Sequence, residues 1–364
     1  VMSVKELLKQ AKLLQKESKF GDALKVYLKV DESLDLNSLD SEEIFYIRLD
    51  EGHCARLAGE FALAVKYYKM ALRIAEKIDE RAKADALAGL GTALRTIGKF
   101  ENAIESFKKA FKIYKKLNDI EGQAYIYWAL GGTFRFMGYF KKSFKSFKKA
   151  LTIYESIPDM NGIGYTLCGL GGVSRMMGNF ELSLDFYTRA NLVMRDLRDK
   201  FGIAYSYCGL ANASRMFLDF VLAEKYFDLA TKNYEKIGDR INYAYTLWGE
   251  GTLAKIKNDF DRAIEKFSKA KEIFIQTGDK RGLIYAELGE IEVNFILHGK
   301  VQDRKIKRLF QFSEKMGYNF ERLHILLIER LMRGEDVKDV FSGYLKLGSK
   351  FFRNINVSLP LNLP

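Results

Sequence analysis

The chain has 364 residues, 48% hydrophobic and 29% charged, with a formal net charge of +12. That balance excludes a disordered polymer and gives length enough for a large core or several domains. No apolar run reaches the roughly 18 residues of a membrane span, no secretory pattern opens the chain, and Cys54, Cys168 and Cys208 make no disulfide framework, so a soluble cytoplasmic protein without membrane insertion is expected.

Val1, ahead of Met2, reads as an added residue. From about residue 4 the chain is an array. Phe100, Phe140, Phe180, Phe220 and Phe260 stand 40 residues apart, with Phe61 and Phe20 preceding them at 39 and 41. Ala110, Ala150, Ala190, Ala230 and Ala270 keep the same period, as do Asp119, Asp159, Asp199, Asp239 and Asp279. Three registers at one spacing mark an internal repeat. Only three prolines occur, at Pro158, Pro360 and Pro364, which favours helix throughout.

One unit, Asp119 to Ile157, shows the design. Asp119 and Gly122 open a helix, with the acid placed well for its N-terminus. Tyr127, Leu130, Gly131 and Phe134 fall on one packing face, and Gly138 ends the helix. A second helix follows with Phe144, Phe147, Ala150, Leu151 and Tyr154 as its apolar stripe. Such a hairpin cannot bury its apolar faces alone, so neighbours must stack into a solenoid. Seven clear hairpins span about 4–280, and a degenerate eighth, with Gly299-Lys300-Val301 in place of Gly-x-Phe, runs over 281–317. Residues 318–353 carry two further helical patterns, expected as caps on the open end. Residues 354–364 form an extended, proline-bearing tail.

The Leu-Gly pairs (Leu90-Gly91, Leu130-Gly131, Leu170-Gly171), the Gly-x-Phe that follows, and the series Ala103, Phe107, Ala110 in the second helix resemble the tetratricopeptide repeat family. The 40-residue period, and junctions such as Gly278-Asp279-Lys280-x-Gly282, are similar to long-repeat members of the kinesin light chain and spindle-orientation adaptor type. The resemblance implies an all-α, right-handed superhelical solenoid of antiparallel helix hairpins over 4–317. It also implies a binding scaffold, with one face of each first helix lining a concave groove.

A second stripe in the first helices falls on that face. Tyr125, Tyr165, Tyr205, Tyr245 and Tyr285 share one position, and Arg56, Arg95, Arg135, Arg175, Arg215 and then Lys255 share another ten residues on. Trp128 and Trp248 stand between them; Phe136, Met176 and Met216 follow the cation, and Asn212 joins the same face. Like charges aligned in a concavity repel unless something compensates. Arginine donates paired hydrogen bonds to carboxylate or phosphate, and the aromatic and thioether side chains offer apolar area. Each tyrosine could equally bridge neighbouring helices through its hydroxyl, and repeat duplication could have copied one residue to every unit.

The lysines of 141–149 alternate with core Phe144 and Phe147 on a second helix, which marks a solvated face. His53, His298 and His324 have no metal-ligand spacing, and no phosphate loop, dinucleotide fingerprint or nucleophile elbow occurs. The expected protein is therefore not an enzyme, has no cofactor or metal, and binds an extended or helical segment with acidic and apolar residues in the groove. Two alternatives stay open: single-stranded nucleic acid in the same groove, or an architectural, self-associating array. The tail, apolar at Val-Ser-Leu-Pro-Leu-Asn-Leu-Pro (357–364), could occupy the groove of its own or a neighbouring chain.

Overall fold

The computed structural model describes residues 2–33 and 39–364; Val1 lies outside them. The described residues form eighteen α-helices and a closing 3-10 turn, with no strand. The helices pair as α1 (Val4–Lys16) with α2 (Phe20–Asp31), α3 (Ser41–Ala58) with α4 (Phe61–Ala75), α5 (Glu80–Thr96) with α6 (Phe100–Lys116), and α7 (Ile120–Phe136) with α8 (Phe140–Ser156). The series continues as α9 (Met160–Met177) with α10 (Phe180–Asp196), α11 (Lys200–Met216) with α12 (Phe220–Ile237), α13 (Arg240–Ile256) with α14 (Phe260–Thr277), and α15 (Lys280–His298) with α16 (Asp303–Lys315). Then come α17 (Asn319–Arg333), α18 (Lys338–Leu347) and the 3-10 turn at Phe351–Asn354.

The repeated residues explain the pairing. Asp119, Asp159, Asp199, Asp239 and Asp279 each cap a first helix, the carboxylate accepting the backbone N–H three residues on, which satisfies a donor that the helix itself leaves unpaired. Phe107, Phe147, Phe227 and Phe267, with Tyr187 at the equivalent place, are buried on the second helices beside the fully buried alanines of the 40-residue series. They form the seam between the two helices of a hairpin and the next. Each first helix turns into its second through a residue at positive φ: Gly59, Gly98, Gly138 and Gly178, but Leu218 and Asn258 in the next two.

The array also touches itself across its coil. The ring of Phe20 meets Phe201 at 6.1 Å, and a Cβ at Gly59 would stand 3.0 Å from Ile241. From the other end, α17, α18 and the 3-10 turn lie across the turns of the middle pairs. Asn319 donates to the Met137 carbonyl at 2.9 Å, Lys350 N–H to the Met177 carbonyl at 3.1 Å, and Asn354 to the Gly178 carbonyl at 2.8 Å. These are carbonyls at the C-terminal ends of α7 and α9, which no intrahelical donor serves. Gly178 is required twice over: its φ is +89°, and a Cβ there would come within 2.6 Å of Phe351 Cα.

Candidate functional site

The cations singled out by sequence sit in the last turn of successive first helices: Arg56 on α3, Arg95 on α5, Arg135 on α7, Arg175 on α9, Arg215 on α11 and Lys255 on α13. A cation there complements the helix dipole, which accounts for part of the series. They face the inside of the coil. The guanidinium of Arg281, at the start of α15, lies 5.0 Å over the ring of Phe136, at the end of α7, so helices four pairs apart meet across the interior.

In the first half of the ladder Arg95 and Arg135 each reach over a glycine of the next first helix. A Cβ at Gly132 would stand 2.5 Å from Arg95 Nη1, and one at Gly172 would collide with Arg135 Nη1 in the same way. Arg95 Nη1 donates to the Ala129 carbonyl at 3.2 Å, and its guanidinium lies 5.8 Å over Trp128 and 5.6 Å over Phe136. Among the described residues none of Arg56, Arg95, Arg135 and Arg175 is in an ion pair. The Nε of all four is buried without an acceptor, as is Nη1 of Arg175. Burial pushes the pKa of Arg95 down, and the neighbouring charges of Arg56 and Arg135 push the same way. A guanidinium keeps its proton regardless, so this row holds uncompensated positive charge.

The second half is closed. Arg215 is completely buried. Its Nη1 donates to Asn362 Oδ1 and, at 2.9 Å, to the Leu363 carbonyl; its Nη2 donates to Asn212 Oδ1 at 3.0 Å. Asn362 Nδ2 donates back to the Arg215 carbonyl at 3.2 Å. Lys255 forms a buried ion pair with Glu292 Oε2, and Glu292 Oε1 accepts the Leu361 N–H at 2.5 Å. Arg281 pairs with Glu321 at 2.6 Å, and the Tyr285 hydroxyl donates to the same carboxylate oxygen at 2.9 Å. Burial lowers the pKa of Lys255 while Glu292 raises it, with a net downward direction. The tail thus lies in the groove of its own chain: Leu361, Asn362 and Leu363 are buried.

The tyrosines divide as well. Tyr165 donates to Asp199 Oδ2 at 2.6 Å and Tyr245 to Asp279 Oδ1 at 3.2 Å, so the aspartate that caps one first helix also receives the hydroxyl of the one before. With Tyr285, whose hydroxyl is held by Glu321 on α17, these three hydroxyls are committed to carboxylates of following helices. Asp239 breaks the pattern because Asn242 takes it through both N–H, at 3.0 Å, and Nδ2, at 2.7 Å. The hydroxyls of Tyr205 and Tyr125 carry no hydrogen bond among the described residues; Tyr205 stacks on Phe201 at 6.1 Å and Tyr125 lies 5.6 Å from Trp128. Trp248 is buried under Arg215, 5.5 Å from its guanidinium. Met176 and Met216 are buried in the core cluster that the C-terminal segment completes, which leaves them little contact with a ligand. Asn212, also buried, is held by Arg215 and the Cys208 carbonyl. Cys168 and Cys208 are free thiols whose pKa burial pushes up, so neither offers a thiolate.

Glu292, Arg281 and Asn362 were not among the residues that the ladder pattern selects. Glu292 had a signal: it lies a whole number of 40-residue repeats from Gly132 and Gly172, and it meets the preceding cation where those glycines leave a gap. No helix among the described residues is long and apolar enough to cross a membrane.

Comparison with known proteins places these features in a family. The tetratricopeptide repeat profile matches residues 44–116 and, in a second form, 124–157. No curated protein sequence matches the chain. Among solved structures, a Rap protein complexed with competence and sporulation factor is similar, with 15% identity, 97% of each chain covered and a TM-score of 0.67. Aspartyl phosphate phosphatase F from Bacillus subtilis is similar at 15% identity, covering 95% of this chain and 94% of its own, with a TM-score of 0.55. A Rap conjugation gene regulator of a plasmid, in complex with a Phr peptide, is similar at 16% identity, covering 81% of this chain and 97% of its own, with a TM-score of 0.53. At such identities the likeness is one of fold. The repeat profiles, the 40-residue register and the stacked hairpins agree, and the chain is a tetratricopeptide repeat protein.

Proposed function

We propose that the chain is a non-enzymatic scaffold that holds an extended acidic and apolar peptide segment along its inner face. The observation that carries this reading is the row Arg56, Arg95, Arg135 and Arg175, four inward guanidiniums without an ion pair among the described residues and with buried N–H groups that lack acceptors. Carboxylates spaced along a peptide would supply those acceptors. Trp128 and Phe136, with the rings of Tyr125 and Tyr205, would form walls for its apolar side chains. One of the similar folds is named as a peptide complex, which supports the groove as the place where such a segment lies.

The test is fluorescence anisotropy with a library of labelled peptides that alternate Asp or Glu with Leu or Phe. The double variant Arg135→Ala, Arg175→Ala should lose at least about 100-fold in affinity, at about 1.5–3 kcal/mol for each charge-assisted hydrogen bond removed. Binding to the wild type should also weaken as salt is raised. Undiminished binding to the double variant would sink the reading. Tighter binding of RNA or single-stranded DNA than of any peptide, with a log-linear salt slope, would replace it. Because one similar fold is named a phosphatase, release of phosphate from a phosphorylated aspartate by this chain would overturn its non-enzymatic part.

A further inference from the structure

The tail reaches its place in the groove along a half-buried strap and is fixed at its end by hydrogen bonds. Residues 355–360 form a strap without helix or strand, bent at 358–360, with Asn356 and Ser358 exposed and the other four residues half-buried, while Leu361, Asn362, Leu363 and Pro364 are buried. Beneath the strap lies an open cleft of about 1030 Å³, with Gly178, Met216 and Leu218 on one side and Asn356 and Ser358 on the other. Ile355, Val357 and Leu359 rest half-buried against the core cluster, and the hydrogen bonds that fix the segment are concentrated in residues 361–363.

Those three are held as a groove holds a peptide. The Leu361 N–H is read by Glu292, the Leu363 carbonyl by Arg215, and the Asn362 amide by the Arg215 side chain and carbonyl. The two leucines are buried on either side. Two main-chain contacts, one amide and two apolar side chains form the recognition set of an extended segment. The segment 355–364 contains no acidic residue. It fills the end of the groove at Arg215 and offers nothing to Arg175, Arg135 or Arg95.

We propose that the subsite between Arg215 and Glu292 is a receptor for an extended apolar–Asn–apolar triplet, and that residues 361–363 are its built-in competitor. An incoming peptide that carries this triplet and also places carboxylates over the free arginines makes every contact of the tail and more, and so displaces it. This rests on the groove being a peptide site, and it adds the chemistry of one end of the ligand and a threshold for binding. Because the tail is tethered, it competes at an effective concentration of order millimolar, and only ligands that use both halves overcome it.

The test uses the full chain and one probe, a labelled synthetic peptide with the sequence of residues 356–364. The double variant Leu361→Lys, Leu363→Lys puts charge in place of the two buried leucines in a groove lined by cations, which removes the competitor and leaves the groove wall intact. It should bind the probe at least about 30-fold more tightly than the wild type does. Hydrogen exchange should show residues 357–364 protected in the wild type and unprotected in the variant. Equal binding to the two proteins, or no binding to either, overturns the proposal. If the double variant does not fold, Asn362→Ala, which deletes only the amide contacts to Arg215, should bind the probe about tenfold more tightly than the wild type; no gain overturns the proposal in that case. The probe is amidated at its C-terminus and so has no acid, which makes this outcome independent of the Arg135 and Arg175 variants that test the acidic-peptide reading separately.

Discussion

One helical position, repeated every 40 residues, exists in two states within this molecule. From Arg56 to Arg175 the inward cation has no counter-charge among the described residues, whereas Lys255 is paired with Glu292, Arg281 beyond it with Glu321, and Arg215 is enclosed by the tail. The helices are alike, their caps are alike and the cations are in register. What differs is the residue that meets each cation from the next helix: glycine opposite Arg95 and Arg135, glutamate opposite Lys255. The difference teaches that charge along a repeat array is not set by the repeat itself. At Lys255 that one exchange, glutamate in place of glycine, supplies the counter-charge that the open rungs lack, whereas Arg215 is closed by the tail instead.

The strongest way to break this comparison is Glu292→Ala. It leaves Lys255 buried without a partner and removes the acceptor for Leu361 N–H, so chemical denaturation should show a loss of about 3–5 kcal/mol. A loss below about 1 kcal/mol would mean that the closed half is not held by this pair. Next in size is the contrast between two arginines at equivalent positions. Arg215→Ala strands the Asn362 and Asn212 amide oxygens and the Leu363 carbonyl, and should cost about 2–3 kcal/mol. Arg175→Ala removes an unpaired charge beside other cations, and should fall within about 0.5 kcal/mol of the wild type or stabilise it. Equal costs would erase the distinction between the halves. The smallest effect lies in the hairpin turns. Gly178 in the open half and Leu218 in the closed half both adopt positive φ, at 89 and 60 degrees. A leucine there is strained, and its side chain is largely exposed. Leu218→Gly should therefore raise stability by about 0.5–1 kcal/mol in a thermal melt, and no gain would show that the cleft beside it compensates for the strain.

Much of the fold was legible in the sequence because it is local and repeated. The phenylalanine and alanine registers mark the seam of each hairpin, the aspartates mark the caps, and both follow from helix periodicity and capping chemistry. The cation series was legible for the same reason. Its partners were not, because they are contributed by residues far away in the chain. Glu292 reads in isolation as an ordinary acid in a degenerate repeat, and only its distance from Gly132 and Gly172 reveals the gap that it fills. The tyrosines show the limit from the other side. Tyr165 with Asp199 and Tyr245 with Asp279 are each 34 residues apart, so two registers that the sequence displays separately are joined through the hydroxyl. Nothing in the sequence says that Asn242 takes Asp239 from Tyr205. The apolar tail was visible as a candidate occupant; that it docks through Asn362 on Arg215 depends on how far the superhelix coils back.

The contacts of the C-terminal segment with Met137, Met177 and Gly178, and of Gly59 with Ile241, change the mechanics of the array. A solenoid bound only between neighbours behaves like a spring: it stretches easily and tolerates the gain or loss of a unit. Here the coil is clasped, so its pitch is fixed and its inner bore has a set length. Inserting or excising one 40-residue unit would misalign the clasp, and with it the meeting of Arg215 and Asn362. The number of repeats is thereby tied to the reach of the chain that closes them.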